Sequence, residues 1–311
     1  MALTNNSLSV SIIMPTYNRA DVLPRAINSV LSQTYPDFEF IIIDDCSTDN
    51  TRQVLSKFND DRIKCVFLGE NKGASFARNK GLEIAGGDFI AFQDSDDEWM
   101  EDKLEKQMAV FSGLDSNVGV LYSDVWEFDR NSLKTYRHSP SFMPEDAIIF
   151  ERALSGGLMN IGLQSTVLRK ECFKRTGMFE EKVKRLIDVE LLIRVSKYFL
   201  FYHIKEPLVN CYIREDNISL NRQALLDAQK LILEKYVKEI KGLPKMLCKY
   251  TYEIGTLSCQ LGNIPEGRQY ILKAFKACPY NPKFLIAYLS SFLGQRIYCY
   301  IVKIKKWLDK I

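Results

Sequence analysis

The sequence predicts an α/β protein, a mostly parallel sheet flanked by helices with a C-terminal α-helical extension. Short β-branched or aromatic runs alternate with helical periodicity through the first half of the chain, which is the pattern of βαβ units. Three of those runs end abruptly in polar, aspartate-rich segments. From about Arg222 onward the apolar residues recur with helical spacing.

Strands are expected at residues 10–14 (VSIIM), 38–43 (FEFIII), 63–68 (IKCVFL) and 89–92 (FIAF). Between them helices are expected at 22–33 after Asp21, at 51–58 after the cap-rich STDN, and at 74–85, where Gly86-Gly87 ends the pattern. A charged amphipathic helix at 100–111 and a strand at 118–122 (VGVLY) follow. Residues 127–147 lack a period and read as loop, 164–168 as a strand, 188–198 as a helix and 208–213 as the last strand. Pro244, Pro265 and the turn from Pro279 to Pro282 punctuate the helical segments beyond. Residues 1–221 are therefore expected to form an α/β domain, and 222–311 a helical region.

A chain of 311 residues can bury a sizeable core. Its +3 formal charge is small beside 42 basic and 39 acidic side chains, so nothing in the balance calls for nucleic acid as a partner. The eight cysteines form no CxxC pair and have no histidine at zinc-ligand spacing, which reads as reduced thiols. The N-terminus, MALTNNSLSVSIIMP, lacks the basic and long apolar regions of a secretory signal. The charge-free stretch 284–295 falls short of the roughly 20 apolar residues of a membrane-spanning helix. A cytoplasmic location is the expectation.

In an open α/β sheet the ligand crevice lies beyond the carboxyl ends of the strands. PTYNRAD, DDCSTDN and QDSDDEW, after the first, second and fourth strands, should open on one rim. Asp94, Asp96 and Asp97 repel one another there. A hard divalent cation held by two of them would cancel that repulsion; the alternative is that they cap a helix starting near Trp99. Asp44-Asp45 ends a second strand in charge, and Asn18 and Arg19 follow the first, so the rim has the polar groups to hold a base, a ribose and a charged leaving group. Lys72 and Arg78, beside Gly73 and Gly81, add cations that complement phosphate. There is no GxxxxGK[ST], and no GxGxxG follows the first strand. His138 and His203 have no ligand spacing.

The runs VSIIMPTYNRADVLPRAINSVLSQTYPDFEFIIIDDCSTDNT, NKGASFARNKGLEIAGGDFIAFQDSDDEWMEDKL, KRTGMFEE and LIDVELLIRVSKY occur in the order found in the family 2 inverting glycosyltransferases, and the chain resembles that family over about residues 8–220. The resemblance implies a GT-A (Rossmann-like) fold. It implies that Asp45, with Asp44 beside it, holds uracil and ribose, and that Pro15, Thr16, Tyr17 and Arg19 flank the base. Asp94-Ser95-Asp96 matches the DxD motif, with Asp96 on Mn²⁺ or Mg²⁺ and Asp94 on ribose or metal-bound water. Asp188 in LIDVEL matches the catalytic base. Two departures stand out: Ile187 replaces the glutamate common before that aspartate, and CYIREDNIS offers Arg214 and Asp216 where many members carry a histidine.

The expected activity is transfer of a sugar from a nucleotide-diphosphosugar, a UDP-sugar by the resemblance, to a hydroxyl of a glycan or lipid-linked acceptor in surface polysaccharide synthesis. The segment 154–179 is expected on the acceptor side. A metal-dependent phosphohydrolase and a noncatalytic sugar-nucleotide-binding protein are the rivals. The basic, aromatic-rich tail from Phe284 fits either peripheral contact with the inner face of the cell membrane or packing on the catalytic domain.

Overall fold

The computed structural model describes residues 9–129, 133–137, 139, 149–214 and 221–308. The chain divides into two compact units, Met1–Asp216 and Asn217–Ile311.

The first unit runs β1 (Val10–Thr16), α1 (Leu23–Leu31), β2 (Phe38–Asp44), α2 (Thr51–Leu55), β3 (Ile63–Phe67), α3 (Ala74–Ile84) and β4 (Phe89–Phe92). It continues with β5 (Glu98–Trp99), α4 (Lys103–Ser112), β6 (Val118–Phe128), β7 (Lys134–Arg137), α5 (Ile149–Arg152), β8 (Thr166–Arg169), α6 (Lys170–Thr176), α7 (Ile187–Val195) and β9 (Leu200–Tyr212). The strands form one sheet in the order β3-β2-β1-β4-β8-β6-β9-β5, with β7 on β6. β3, β2, β1, β4, β6 and β9 share one direction, and β8, β5 and β7 oppose it.

The central parallel strands are covered on both faces, which is why they read as unbroken apolar runs. Ile12, Met14, Phe40, Ile42 and Ala91 pack with Leu23, Ala26, Ile27 and Val30 of α1 and with Leu104, Met108 and Phe111 of α4. On the other face α3 lies directly on β1. A Cβ at Gly81 would come within 2.4 Å of the Ile13 side chain, so only glycine permits that approach.

Two sequence expectations change here. The helix expected from residue 100 begins at Lys103, because the pairing that makes Glu98 and Trp99 strand β5 against Asn210 and Val209 of β9 runs on to Met100, whose amide donates to the Leu208 carbonyl (3.0 Å). The Trp99 amide donates to Ser29 Oγ (3.1 Å) and its indole to the Gln164 carbonyl (3.1 Å). Asp94 to Asp97 therefore cap no helix. The loop expected at 127–147 is in part a hairpin: β6 runs on to Phe128 and pairs with β7, Trp126 opposite Tyr136. His138 and 140–148 lie outside the described residues.

The second unit comprises α8 (Arg222–Lys235), α9 (Val237–Lys241), α10 (Pro244–Gln260), α11 (Ile264–Ala277), α12 (Pro282–Ser290) and α13 (Gln295–Leu308). Asn221, Asn263 and Asn281 cap α8, α11 and α12 by accepting from the amides of Ala224, Glu266 and Lys283. Helices α10 and α11 meet so closely that a Cβ at Gly255 would lie 2.7 Å from the Gly267 carbonyl. The same approach brings Cys248 and Cys278, 30 positions apart, into a disulfide. That corrects the expectation of wholly reduced thiols; the other six cysteines are free.

Candidate active site

Parallel register sets the rim. Thr16, the last residue of β1, stands opposite Asp44, the last of β2, and just past β4 the Gln93 amide donates to the Ile13 carbonyl (3.0 Å). The loops after β1 and β2 are laced together. Asn18 Oδ1 accepts from the Thr48 amide (2.8 Å), the Asn18 amide donates to Ser47 Oγ (2.9 Å), and the Arg19 amide donates to Thr51 Oγ1 (3.2 Å). Asn18 (φ 51°) and Cys46 (φ 64°) adopt the left-handed region to make this crossing. Strain of that kind persists where surrounding bonds over-determine the backbone, and it clusters at binding sites.

Asp44 and Asp45 are both buried but face different partners. Asp44 accepts from the Ser47 amide (3.1 Å) and pairs with Arg52 (3.3 Å). Asp45 receives the amides of Lys72 (2.9 Å) and Gly73 (2.7 Å), one on each oxygen, just ahead of the first turn of α3. The Lys72 ammonium pairs with Glu70 (2.7 Å), so what Lys72 gives Asp45 is its backbone N–H. Pro15 is half-buried and Tyr17 is exposed at the rim.

Beyond β4 the chain places Asp94, Ser95, Asp96 and Asp97 in sequence. Buried Arg78 of α3 donates to Asp94 Oδ1 (2.7 Å), and Arg19 Nε lies 3.8 Å from Asp96 Oδ2. Ser95 is buried. Asp97 turns inward and accepts from the Tyr212 amide (3.0 Å). Burial, followed by the charge of Asp94, pushes the Asp96 carboxyl above its usual range. Burial and then the charges of Asp94 and Asp96 push Asp97 well above it. Four buried polar atoms near the ends of β1 and β4 have no hydrogen-bond partner: Thr16 Oγ1, Arg25 Nε, Arg78 Nε and Gln93 Oε1. Clustered, desolvated carboxylates with unpartnered oxygens nearby suit a hard divalent cation. Among the described residues no group of three or more His, Cys, Asp or Glu is gathered as a metal cage, so Asp94 and Asp96 would supply only part of a coordination shell.

Asp188 is the second residue of α7, entered through Leu186 in the left-handed conformation (φ 58°, ψ 33°). A leucine there is an outlier, held because the flanking segments are stapled. Glu190 and Arg194 pair on the next turn, and Arg194 donates to the carbonyls of Thr176 and Met178 (2.7 and 2.8 Å). From α3, Ser75 Oγ donates to the Val183 carbonyl and Asn79 Nδ2 to the Phe179 carbonyl. Helix α3 thus fixes the approach to α7 while its Arg78 holds Asp94. Asp188 Oδ1 accepts from the Val189 amide (2.8 Å). Burial raises its pKa above the usual 3.8; the charge of Arg78 lowers it and that of Asp94 raises it. Asp188, Arg78 and Asp94 therefore share one electrostatic neighbourhood.

Sequence reasoning missed Arg25. Its guanidinium donates to the Asp96 carbonyl (2.6 Å) and lies 3.6 Å over the Tyr212 ring, so it braces the acidic loop from below. The signal was a lone charged residue in the otherwise uncharged helix LPRAINSVL. Arg214 pairs with Asp21 (3.0 Å); Asp216 lies outside the described residues.

The sequence model described as "Glycosyl transferase family 2" matches residues 11–174, the stretch that carries every rim residue above except those of α7 and β9. A Bacillus subtilis (strain 168) protein named as a teichuronic acid biosynthesis glycosyltransferase, TuaG, is 34% identical over 71% of this chain and 85% of its own length. An Escherichia coli protein, UDP-Glc:alpha-D-GlcNAc-diphosphoundecaprenol beta-1,3-glucosyltransferase WfgD, is 38% identical over 53% of this chain and 63% of its own. Among solved structures, S. aureus TarS 1-349 in complex with UDP-GlcNAc superposes with a TM-score of 0.64 at 21% identity, over 86% of this chain and 81% of that one. That likeness covers the GT-A fold of sheet, flanking helices and helical C-terminal region. Matched over more than half its length by the family's sequence pattern, and 34% identical to a protein named as a glycosyltransferase over 85% of that protein's length, the chain belongs to the family 2 glycosyltransferases.

Proposed function

We propose that the protein moves a sugar from a UDP-sugar to a hydroxyl of a glycan or lipid-linked acceptor in surface polysaccharide synthesis, by one in-line displacement with inversion. The observation that carries this is the Arg78–Asp94 pair (2.7 Å) just past β4, with Asp188 near enough that both charges act on its carboxyl. Asp188 serves as the base that takes the acceptor proton, a role worth ~10²–10⁴-fold in rate. Its entry through a left-handed Leu186 sets where α7 begins, and so where the Asp188 side chain stands.

The donor reading is supported by the names of the relatives: WfgD is named for UDP-Glc and a diphosphoundecaprenol acceptor, and TarS was solved with UDP-GlcNAc. The base and ribose are assigned to the laced loops after β1 and β2, with Pro15, Thr16, Tyr17 and Arg19 on one side and Asp44 and Asp45 on the other. Asp45 is the joint of that pocket: its carboxylate orders the amides of Lys72 and Gly73, so a nucleotide that touches Asp45 meets a preformed wall. Asp96, with Asp94, would hold Mn²⁺ or Mg²⁺, which supplies neutralisation of the departing diphosphate. Arg78 stands beside them with one unpartnered N–H. The segment 154–179 is assigned to the acceptor side.

The test is nucleotide release from a panel of UDP-, GDP- and dTDP-sugars with Mn²⁺. One UDP-sugar should be turned over, and Asp188→Asn should lose ~10²–10⁴-fold in rate while still binding UDP in calorimetry. Asp96→Ala should lose the Mn²⁺ dependence of UDP affinity. Near wild-type turnover in Asp188→Asn would remove it as the base. Phosphate release from simple esters, with no sugar nucleotide consumed, would favour a phosphohydrolase instead.

A further inference from the structure

Helices α12 and α13 are apolar on two faces. Inward, Tyr298 packs with Cys259 and Ile271, and Phe284 packs with Cys248 and Ala274. Outward stand Ile286 and Leu289 on α12, Phe292 and Leu293 in the turn, and Ile297 and Tyr300 on α13, each 49% exposed or more. A helix facing water carries polar residues on that side. The packing role is already filled by the inward face, so the outward residues call for another partner.

The turn is rigidly presented. Arg268 lies 3.7 Å over the Phe292 ring and donates to Ser291 Oγ (3.0 Å) and to its carbonyl (3.1 Å), which sets a cation beside the exposed ring. From residue 282 onward the sequence holds Lys283, Arg296, Lys303, Lys305, Lys306 and Lys310 against a single acid, Asp309. No helix among the described residues is long and apolar enough to cross a membrane.

We propose that the outward face of the α12–α13 hairpin docks on an anionic lipid bilayer. Its apolar side chains would enter the boundary between headgroups and acyl chains, and the cations carried by the segment would meet anionic headgroups. Two copies of so basic a segment would repel one another, which argues against self-association as its purpose.

The test is flotation of the full chain with vesicles of phosphatidylcholine alone, or containing about one-quarter phosphatidylglycerol, at about 0.1 M and 1 M salt. The variant Ile286→Ser/Leu289→Ser/Leu293→Ser changes exposed positions only, and its fold is checked by circular dichroism. Capture by the anionic vesicles, weakened by salt and reduced at least about tenfold in the triple variant, is the expected result. No capture by the anionic vesicles, or equal capture of the variant, overturns the proposal. A concentration-dependent dimer that the variant abolishes, without vesicle capture, assigns the face to a second copy. No sugar nucleotide enters the measurement, so its failure leaves the transferase reading intact.

Discussion

At the scale of single residues, burial and Asp94 push the Asp188 carboxyl upward while Arg78 pulls it down. A general base works ionised, so turnover should fall as pH drops through the raised pKa, above the 3.8 of an ordinary aspartate. Arg78→Met removes the opposing charge. The acid limb of its kcat profile should move to higher pH, each pH unit of displacement corresponding to about 1.4 kcal/mol. An unmoved limb would mean that Arg78 does not act on the base. A gentler change at Arg25 separates bracing from chemistry. Arg25→Lys keeps the charge but loses the planar stack on Tyr212, so it should raise the Mn²⁺ concentration needed for half-maximal rate while leaving the acid limb in place.

At the scale of elements, α4 begins with a lysine buried to 0% exposure. Lys103 Nζ donates to Gln107 Oε1 (2.7 Å) and lies 3.9 Å over Trp99, and burial holds its pKa well below 10.5. Between that lowered value and the ordinary one the unfolded chain binds the extra proton, so stability should climb as pH rises through that window. Lys103→Met should flatten the climb in denaturant titrations at stepped pH. A climb unchanged in the variant would show that Lys103 is solvated or charged in the fold. The strands β1, β2 and β4 were legible because each is an apolar run cut off by the polar rim it serves. β7 was not, since KTYR has no apolar face of its own and becomes a strand through Trp126 and Tyr136. The start of α4 was misplaced because pairing with β9 extends past Trp99 to the Met100 amide, a long-range contact that local spacing does not record.

At the scale of the whole molecule, the residues assigned to the donor lie within Met1–Asp216, and the exposed apolar hairpin lies within Asn217–Ile311. A chain ending at Asp216 should therefore bind UDP within about twofold of the full chain's affinity in calorimetry, a difference below about 0.4 kcal/mol; a larger loss would show that the helical unit contributes to the donor site. Sequence order alone placed the strand-end acids on one rim, because parallel topology obliges it. It could not show that Asp45 spends its carboxylate on two backbone amides, that Arg25 braces the acidic loop, or that Cys248 reaches Cys278, since each depends on which loops and helices meet.

Cys46 gives this geometry a practical use. It is a free, half-buried thiol, held left-handed between Asp45 and the Asn18–Ser47 lacing, whereas Cys65 is a free, exposed thiol on β3. The molecule thus carries two chemical reporters, one beside the proposed nucleotide pocket and one on β3, where burial and then the charge of Asp44 push the thiol up. Mass spectrometry of alkylated protein should find Cys46 shielded by saturating UDP and Cys65 unaffected. The ratio of the two labels would then read donor occupancy in the native chain, without any introduced probe.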